Sequence, residues 1–240
     1  MTDSNSPIDF LRADIDRVDT DLLRLIAERL ALAERVRDAK SGARVWRPAR
    51  EESLVRDLVE AGGVNPPLVS RIWAELVSAS LAIQGPMQLH VCLEGDKLKA
   101  WSLVRDRFGA ALPIHSYPTA STALAAAAAD PEGVAVLPSP GGMNTWWSAL
   151  CPGGACEEMK ILTGLPRVRN ADWPRDDWPR AVAVAAGEVE TSGADRLLVA
   201  TKSERPETLR AEAGDWKLYA VEEAGGDPVI GIIPEPLPHE

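Results

Sequence analysis

The chain has 240 residues, 45% hydrophobic and 26% charged, with a formal net charge of −10. This is the composition of a soluble globular protein of one or two domains, and its negative balance excludes a phosphate backbone as partner, since nucleic acids select a basic face. No stretch approaches the ~20 apolar residues needed to span a bilayer. The polar, acidic start Met1-Thr2-Asp3-Ser4 has no basic leader and no apolar segment, so a cytoplasmic protein is expected. Cys92, Cys151 and Cys156 read as free thiols of a reducing compartment, and with three histidines in the chain, none near them, no zinc ligand set is expected.

The first predicted element is a long helix. Ile8, Leu11, Ile15, Val18, Leu22, Leu25, Leu32, Val36 and Ala39 recur at alternating spacings of three and four, a heptad stripe that packs along its whole length on other helices. Ser6 and Pro7 form its start and Ser41-Gly42 its end, which predicts a helix from about 7 to 40, roughly 50 Å long. A second helix is predicted over about 49 to 61, stopped by Gly62-Gly63, with Leu54, Val55, Leu58 and Val59 inward. Asn65-Pro66-Pro67 opens a third, with Leu68, Ile72, Leu76 and Ile83 as its stripe, ended by Gly85-Pro86. Residues 1–86 therefore form an all-α domain, and 88–240 a second domain.

The texture changes after Pro86. Residues 89 to 93 read as a strand, 97 to 108 as a helix, 113 to 117 as a strand, 119 to 130 as an alanine-rich helix capped by Thr119, and 133 to 137 as a third strand. Strand–helix alternation predicts an open α/β sheet. Further strands are expected at 181–185, 196–200, 216–221 and 229–233. The Pro-, Gly- and Trp-rich stretch from 138 to 180 gives no clear element. Its tryptophans Trp146, Trp147, Trp173 and Trp178 suit core or interlobe packing, or else a stacking platform for a ligand.

Arg29 breaks the heptad stripe at the position after Leu25. A guanidinium on a buried seam needs an anion, either a protein carboxylate or a ligand. Lys40 lies three helical turns further on. Arg50 and Glu51 open the second helix, and Ser80 and Gln84 are four residues apart on the apolar face of the third. Arg29, Lys40, Arg50, Ser80 and Gln84 together suit a small dianion. Arg12 flanks the same stripe but lies 17 residues before Arg29, about 25 Å along a straight helix and beyond the reach of one side chain. Arg12 and Arg29 meet at one small molecule only if two antiparallel copies of the first helix face each other across a two-fold axis.

With these residues in place, positions 8–86 resemble the all-helical class of chorismate mutases: Leu11-Arg12, Ile15-Asp16, Asp19, Ala27-Glu28-Arg29, Lys40, Arg50-Glu51, and Ser80 with Gln84. The resemblance implies an intertwined homodimer of three-helix chains with shared active sites, chorismate as substrate, prephenate as product, and no cofactor or metal. It implies that Arg12 is borrowed from the partner chain and opposes Arg29 on the substrate carboxylates. It places Lys40 and Gln84 about the ether oxygen, and Arg50, Ser80 and Glu51 on a carboxylate and the ring hydroxyl. Arg47 stands at a position often acidic in that class, and the loop from Lys40 to Arg50 is about two residues short.

Residues 88–236 resemble, more weakly, the prephenate dehydratase catalytic domain, a two-lobed α/β fold of periplasmic-binding-protein type. After Gly133-Val134-Ala135-Val136-Leu137-Pro138 the chain reads Ser139-Pro140-Gly141-Gly142, where that family has Ile-Glu-Asn-Ser. Asp195-Arg196-Leu197 replaces its Thr-Arg-Phe, and the loop at Glu94-Gly95-Asp96 is reduced. A degenerate domain without dehydratase activity is therefore expected. Two other readings of the chain are an isochorismate pyruvate-lyase-like enzyme using the same cations, and a non-catalytic scaffold or regulator.

Overall fold

The structure, a computed structural model, describes residues 6–39, 45–169 and 178–239. It divides into two compact units, one reaching Ala43 and one starting at Arg44.

Among the described residues, the first unit is the helix α1 (Pro7–Ala39). Proline at its first turn supplies the fixed φ a helix start requires, and the Asp9 carboxylate accepts from the Ser6 amide at 2.9 Å. The heptad stripe is present and uncovered: Ile15 is 59% exposed, Leu22 and Leu25 51%, and Leu32 50%. A helix this apolar along one face is stabilised by packing rather than by propensity.

The second unit joins two helices to a sheet. Helix α2 spans Pro48–Glu60 and α3 Pro66–Gln84. They are followed by β1 (Gln88–Val91), α4 (Lys97–Phe108), β2 (Ile114–Ser116), α5 (Ala120–Ala129) and β3 (Gly133–Pro138). A 3-10 turn at Trp146–Leu150 precedes β4 (Met159–Leu165) and β5 (Ala181–Ala186). The chain closes with β6 (Asp195–Thr201), β7 (Leu209–Ala213), β8 (Trp216–Val221) and β9 (Val229–Pro234). The strands form one nine-stranded sheet in the order β2-β1-β3-β5-β4-β9-β6-β8-β7. Strand β1 runs parallel to β2 and β3, as the strand–helix alternation requires. From β5 onward the pairing is mainly antiparallel, and among the described residues no α-helix follows α5.

Local sequence explains several of these boundaries. Asp96 caps α4 through the Leu98 and Lys99 amides, and Thr119 caps α5 in a reciprocal box with Thr122. The alanines of α5 allow close approach to the sheet: a Cβ on Gly133 would stand 2.7 Å from the Ala127 carbonyl oxygen. One core face holds Ala123, Leu124, Ala127, Trp146, Trp147 and Leu150, so the first two tryptophans pack inside. Trp178 is half-buried and donates to the Pro140 carbonyl at 2.8 Å, and Trp173 lies outside the described residues. The opposite face packs Trp46 and Leu81, from the helical segment, on Leu89, Val104, Phe108 and Leu165. A smaller cluster joins Val55 of α2, Val69 of α3 and Leu237 near the C-terminus. Helices α2 and α3 thus share a hydrophobic core with the sheet.

The three thiols are unpaired. Burial pushes the Cys151 thiol up to about 11, against the downward pull of Lys160. An unfolded thiol ionises near 8.5, so this contribution to stability is intact below that value and is lost as pH rises toward about 11. At pH 9 a thiol reagent is expected to spare Cys151 in the folded chain; modification there at the rate of the unfolded chain would show that it is not enclosed.

Candidate functional site

On α1, Arg12 is exposed and paired with Asp9 at 3.5 Å, and Arg29 is half-buried. Lys40, immediately after the last residue of α1, lies outside the described residues, as does the predicted stop at Ser41-Gly42. In the second unit, Arg50 is exposed on the first turn of α2, Ser80 is buried, and Gln84 is half-buried as the last residue of α3. Ser80 Oγ donates to the Leu76 carbonyl at 2.7 Å, a bond within its own helix. The structure therefore brings Arg50, Ser80 and Gln84 into one compact unit, while Arg12 and Arg29 belong to the other.

Glu51 is the surprise. It is 6% exposed and its neighbour Glu52 is 4% exposed. Arg107 Nη1, from α4, donates to Glu51 Oε1 at 2.6 Å. Arg167, just after β4, donates through Nη2 to the same oxygen and through Nε to both Glu52 oxygens at 3.1 and 3.2 Å. Arg107 Nη2 stands 2.8 Å from Glu52 Oε1 as an ion pair, without the alignment of a hydrogen bond. Trp46 Nε1 reaches the other Glu51 oxygen at 3.4 Å. The arginines are as buried as their partners, with side chains 1% and 2% exposed.

Burial alone would raise the Glu51 carboxyl; the charges of Arg107 and Arg167 and their hydrogen bonds outweigh it and hold Glu51 below the usual carboxylate range. The Arg167 guanidinium is held the more firmly protonated, because Glu52 and Glu51 together overcome the cost of its burial. Two anions and two cations so compensated are a charge-balanced buried set, although Arg107 Nε and Nη2 and Arg167 Nη1 make no hydrogen bond among the described residues. Sequence reasoning passed over Glu52, Arg107 and Arg167, although a signal existed. Glu51 and Glu52 lie four and three residues before the buried Val55, and Arg107 three after the buried Val104, so each falls on an apolar face.

Arg47, at the position where an acid is common in the class it resembles, pairs with Glu190 of the sheet domain at 3.0 Å. Across the sheet, Asp195 replaces an expected threonine. Its carboxylate accepts from the Thr191 and Ser192 hydroxyls at 2.6 Å and from the Ser192 and Gly193 amides at 2.6 and 3.0 Å. Asp195 therefore fastens its own loop. Arg196 turns to Glu235 at 3.7 Å. Among the described residues no cluster of histidine, cysteine or carboxylate groups is arranged to hold a metal, and no helix is long and apolar enough to cross a membrane.

Residues 11–85 match the family model described as chorismate mutase type II, so the N-terminal part of the chain carries a domain of that family. Over 80 residues the chain is 31% identical to the bifunctional chorismate mutase/prephenate dehydratase of Neisseria gonorrhoeae (strain ATCC 700825 / FA 1090), an alignment covering 32% of this chain and 22% of that protein. It is 35% identical over 82 residues to the bifunctional chorismate mutase/prephenate dehydratase of Aquifex aeolicus (strain VF5), covering 31% of this chain and 23% of the relative. The alignments thus span less than a quarter of either relative's length. No solved structure matches the chain.

Proposed function

We propose that this chain is a chorismate mutase, catalysing the intramolecular rearrangement of chorismate to prephenate. The observation that carries the reading is the matched stretch 11–85 with its cationic and amide set, Arg12, Arg29, Lys40, Arg50 and Gln84. In the reaction one C–O bond breaks as one C–C bond forms, and no nucleophile is required. The site must hold a flexible dianion in a compact conformer and stabilise negative charge growing on the ether oxygen. Arg12, Arg29 and Arg50 would take the carboxylates, Ser80 would accept from the substrate, and Lys40 and Gln84 would donate to the ether oxygen. Glu51, whose oxygens are engaged by Arg107, Arg167 and Trp46, is not used as the hydroxyl acceptor in this reading.

The active assembly in this proposal is a homodimer. The uncovered stripe of α1 supports it, since a row of leucines and isoleucines about half exposed is a surface that seeks a partner, and an antiparallel copy would bring Arg12 of one chain to Arg29 of the other. The sheet domain is read as lacking dehydratase activity, because Asp195 is committed to its own loop.

The test is loss of chorismate with formation of prephenate by the purified full chain. Pyruvate released from isochorismate, with chorismate untouched, would favour the lyase reading; no turnover of either would favour the scaffold reading. The shared site has its own check. Mixing inactive Arg12→Ala with inactive Lys40→Ala chains is expected to restore activity through hybrid dimers, and no recovery after demonstrated subunit exchange would sink it.

A further inference from the structure

Helix α2 is fastened to the sheet domain by polar contacts along one flank. Arg47, just before it, meets Glu190. Glu51 and Glu52 meet Arg107 and Arg167. Arg56 Nη2 donates to the Glu235 carbonyl at 2.9 Å. The helix start has no side-chain cap of its own, and the Arg47, Glu51 and Glu52 contacts lie at or beside its first turn. Arg50 lies between them in sequence, with its own side chain exposed.

Buried charge sets return little net stability, because desolvation offsets the attraction. What a four-membered set does give is direction: each planar guanidinium accepts only certain placements of its carboxylates. A slip or rotation of α2 would break several such bonds at once, whereas an apolar contact such as Val55 with Val69 tolerates small shifts.

We infer that Arg107 and Arg167 are positioning residues for the mutase reaction: two buried guanidiniums of the α/β domain that grip Glu51 and Glu52 and thereby fix the direction in which α2 presents Arg50 to a substrate carboxylate. The inference rests on the chorismate mutase reading. It also gives a domain stripped of dehydratase motifs a defined task, that of a jig for the second helix.

The test uses the full chain. Arg107→Lys keeps the charge and removes the fork; Glu52→Gln, the milder variant, keeps shape and removes one anion. Arg196→Lys, which alters an exposed pair in the same domain, is the control. Loss of a positioned carboxylate contact made equally in ground and transition states raises KM and spares kcat. The expected result is a KM for chorismate raised about tenfold, equivalent to ~1.4 kcal/mol, with kcat within about twofold in both test variants and the control unmoved. A purely structural role predicts a lower unfolding midpoint with an unchanged KM for the folded protein, and that outcome in either folded variant overturns the inference while leaving the mutase reading standing. Absence of chorismate turnover by the unaltered chain overturns the reading, and the inference falls with it.

Discussion

Lys40→Ala is expected to lower chorismate turnover at least about a hundredfold while leaving the fold intact, because a preorganised donor to a developing oxyanion contributes on the order of 3 kcal/mol to the barrier. The chemistry makes the lysine matter more than its single charge suggests. In the rearrangement the ether oxygen gains negative charge as its bond to carbon lengthens, so an ammonium beside it interacts more strongly with the transition state than with bound substrate, and only such differential interaction raises kcat. The loss should therefore appear in kcat and kcat/KM alike, with KM little changed. Arg50→Ala, which removes grip on a carboxylate present throughout the reaction, should weigh more on KM. An unchanged urea midpoint would separate lost chemistry from lost structure. Near-normal turnover by a folded Lys40→Ala chain would remove Lys40 from the site.

The second large effect concerns stability. Glu51→Ala is expected to destabilise the sheet-containing unit by about 3–5 kcal/mol, the cost of leaving buried cations without their counterion. Arg107 and Arg167 both bond to Glu51 Oε1, and at 1% and 2% side-chain exposure neither can turn to water without opening the core. Glu51→Gln should cost less, since an amide oxygen still accepts. The same group sets an acid limit. Glu51 is held below the ordinary range by Arg107 and Arg167 in spite of its burial, so its contribution is fully present above the unfolded carboxyl value near 4.3 and is lost as pH falls through the lower folded value. Urea unfolding from pH 6 to pH 2 should show that acid limb flattened in Glu51→Gln. A cost under about 1 kcal/mol for Glu51→Ala would match a solvent-screened surface pair and refute the buried set.

The two expectations touch different parts of one design. The cations that meet substrate in the proposed site come from the helical stretch. The cations that hold a helix in place come from α4 and from the segment after β4. Arg47 shows how the two are joined: where the chorismate mutase class often carries an acid, this chain carries a cation that a sheet-domain acid, Glu190, accepts at 3.0 Å.

Much was legible in the sequence because it is written in near neighbours. The 3–4 spacing from Ile8 to Ala39 specifies α1, Thr119 and Asp96 cap their helices, and the strands at 133–138, 181–186, 195–201, 216–221 and 229–234 follow short β-branched or apolar runs. The residues proposed to meet substrate stand out in the sequence for the same reason, since they recur at helical spacing and an arginine interrupts an apolar stripe. Strands β4 and β7 were not legible. Met159–Leu165 lies in a stretch punctuated by glycine and proline, and Leu209–Ala213 carries Arg and Glu amid its apolar residues as the edge strand of the sheet.

The pairing of Glu51 and Glu52 with Arg107 and Arg167 was beyond the sequence altogether. Hydrophobic periodicity reports that a charge faces inward, because burial depends on the residue's own place in its element. It cannot report which counterion will be there, because that partner stands 56 or 116 positions away and is chosen when the sheet closes against the helices. The sequence by itself thus determined most of the elements, the long amphipathic helix and the place of Arg29 on its apolar stripe. The tertiary structure alone decided that α2 and α3 share their core with the sheet and that Glu51 holds a helix, since the free energy of a buried charge is settled by what lies across the gap rather than along the chain.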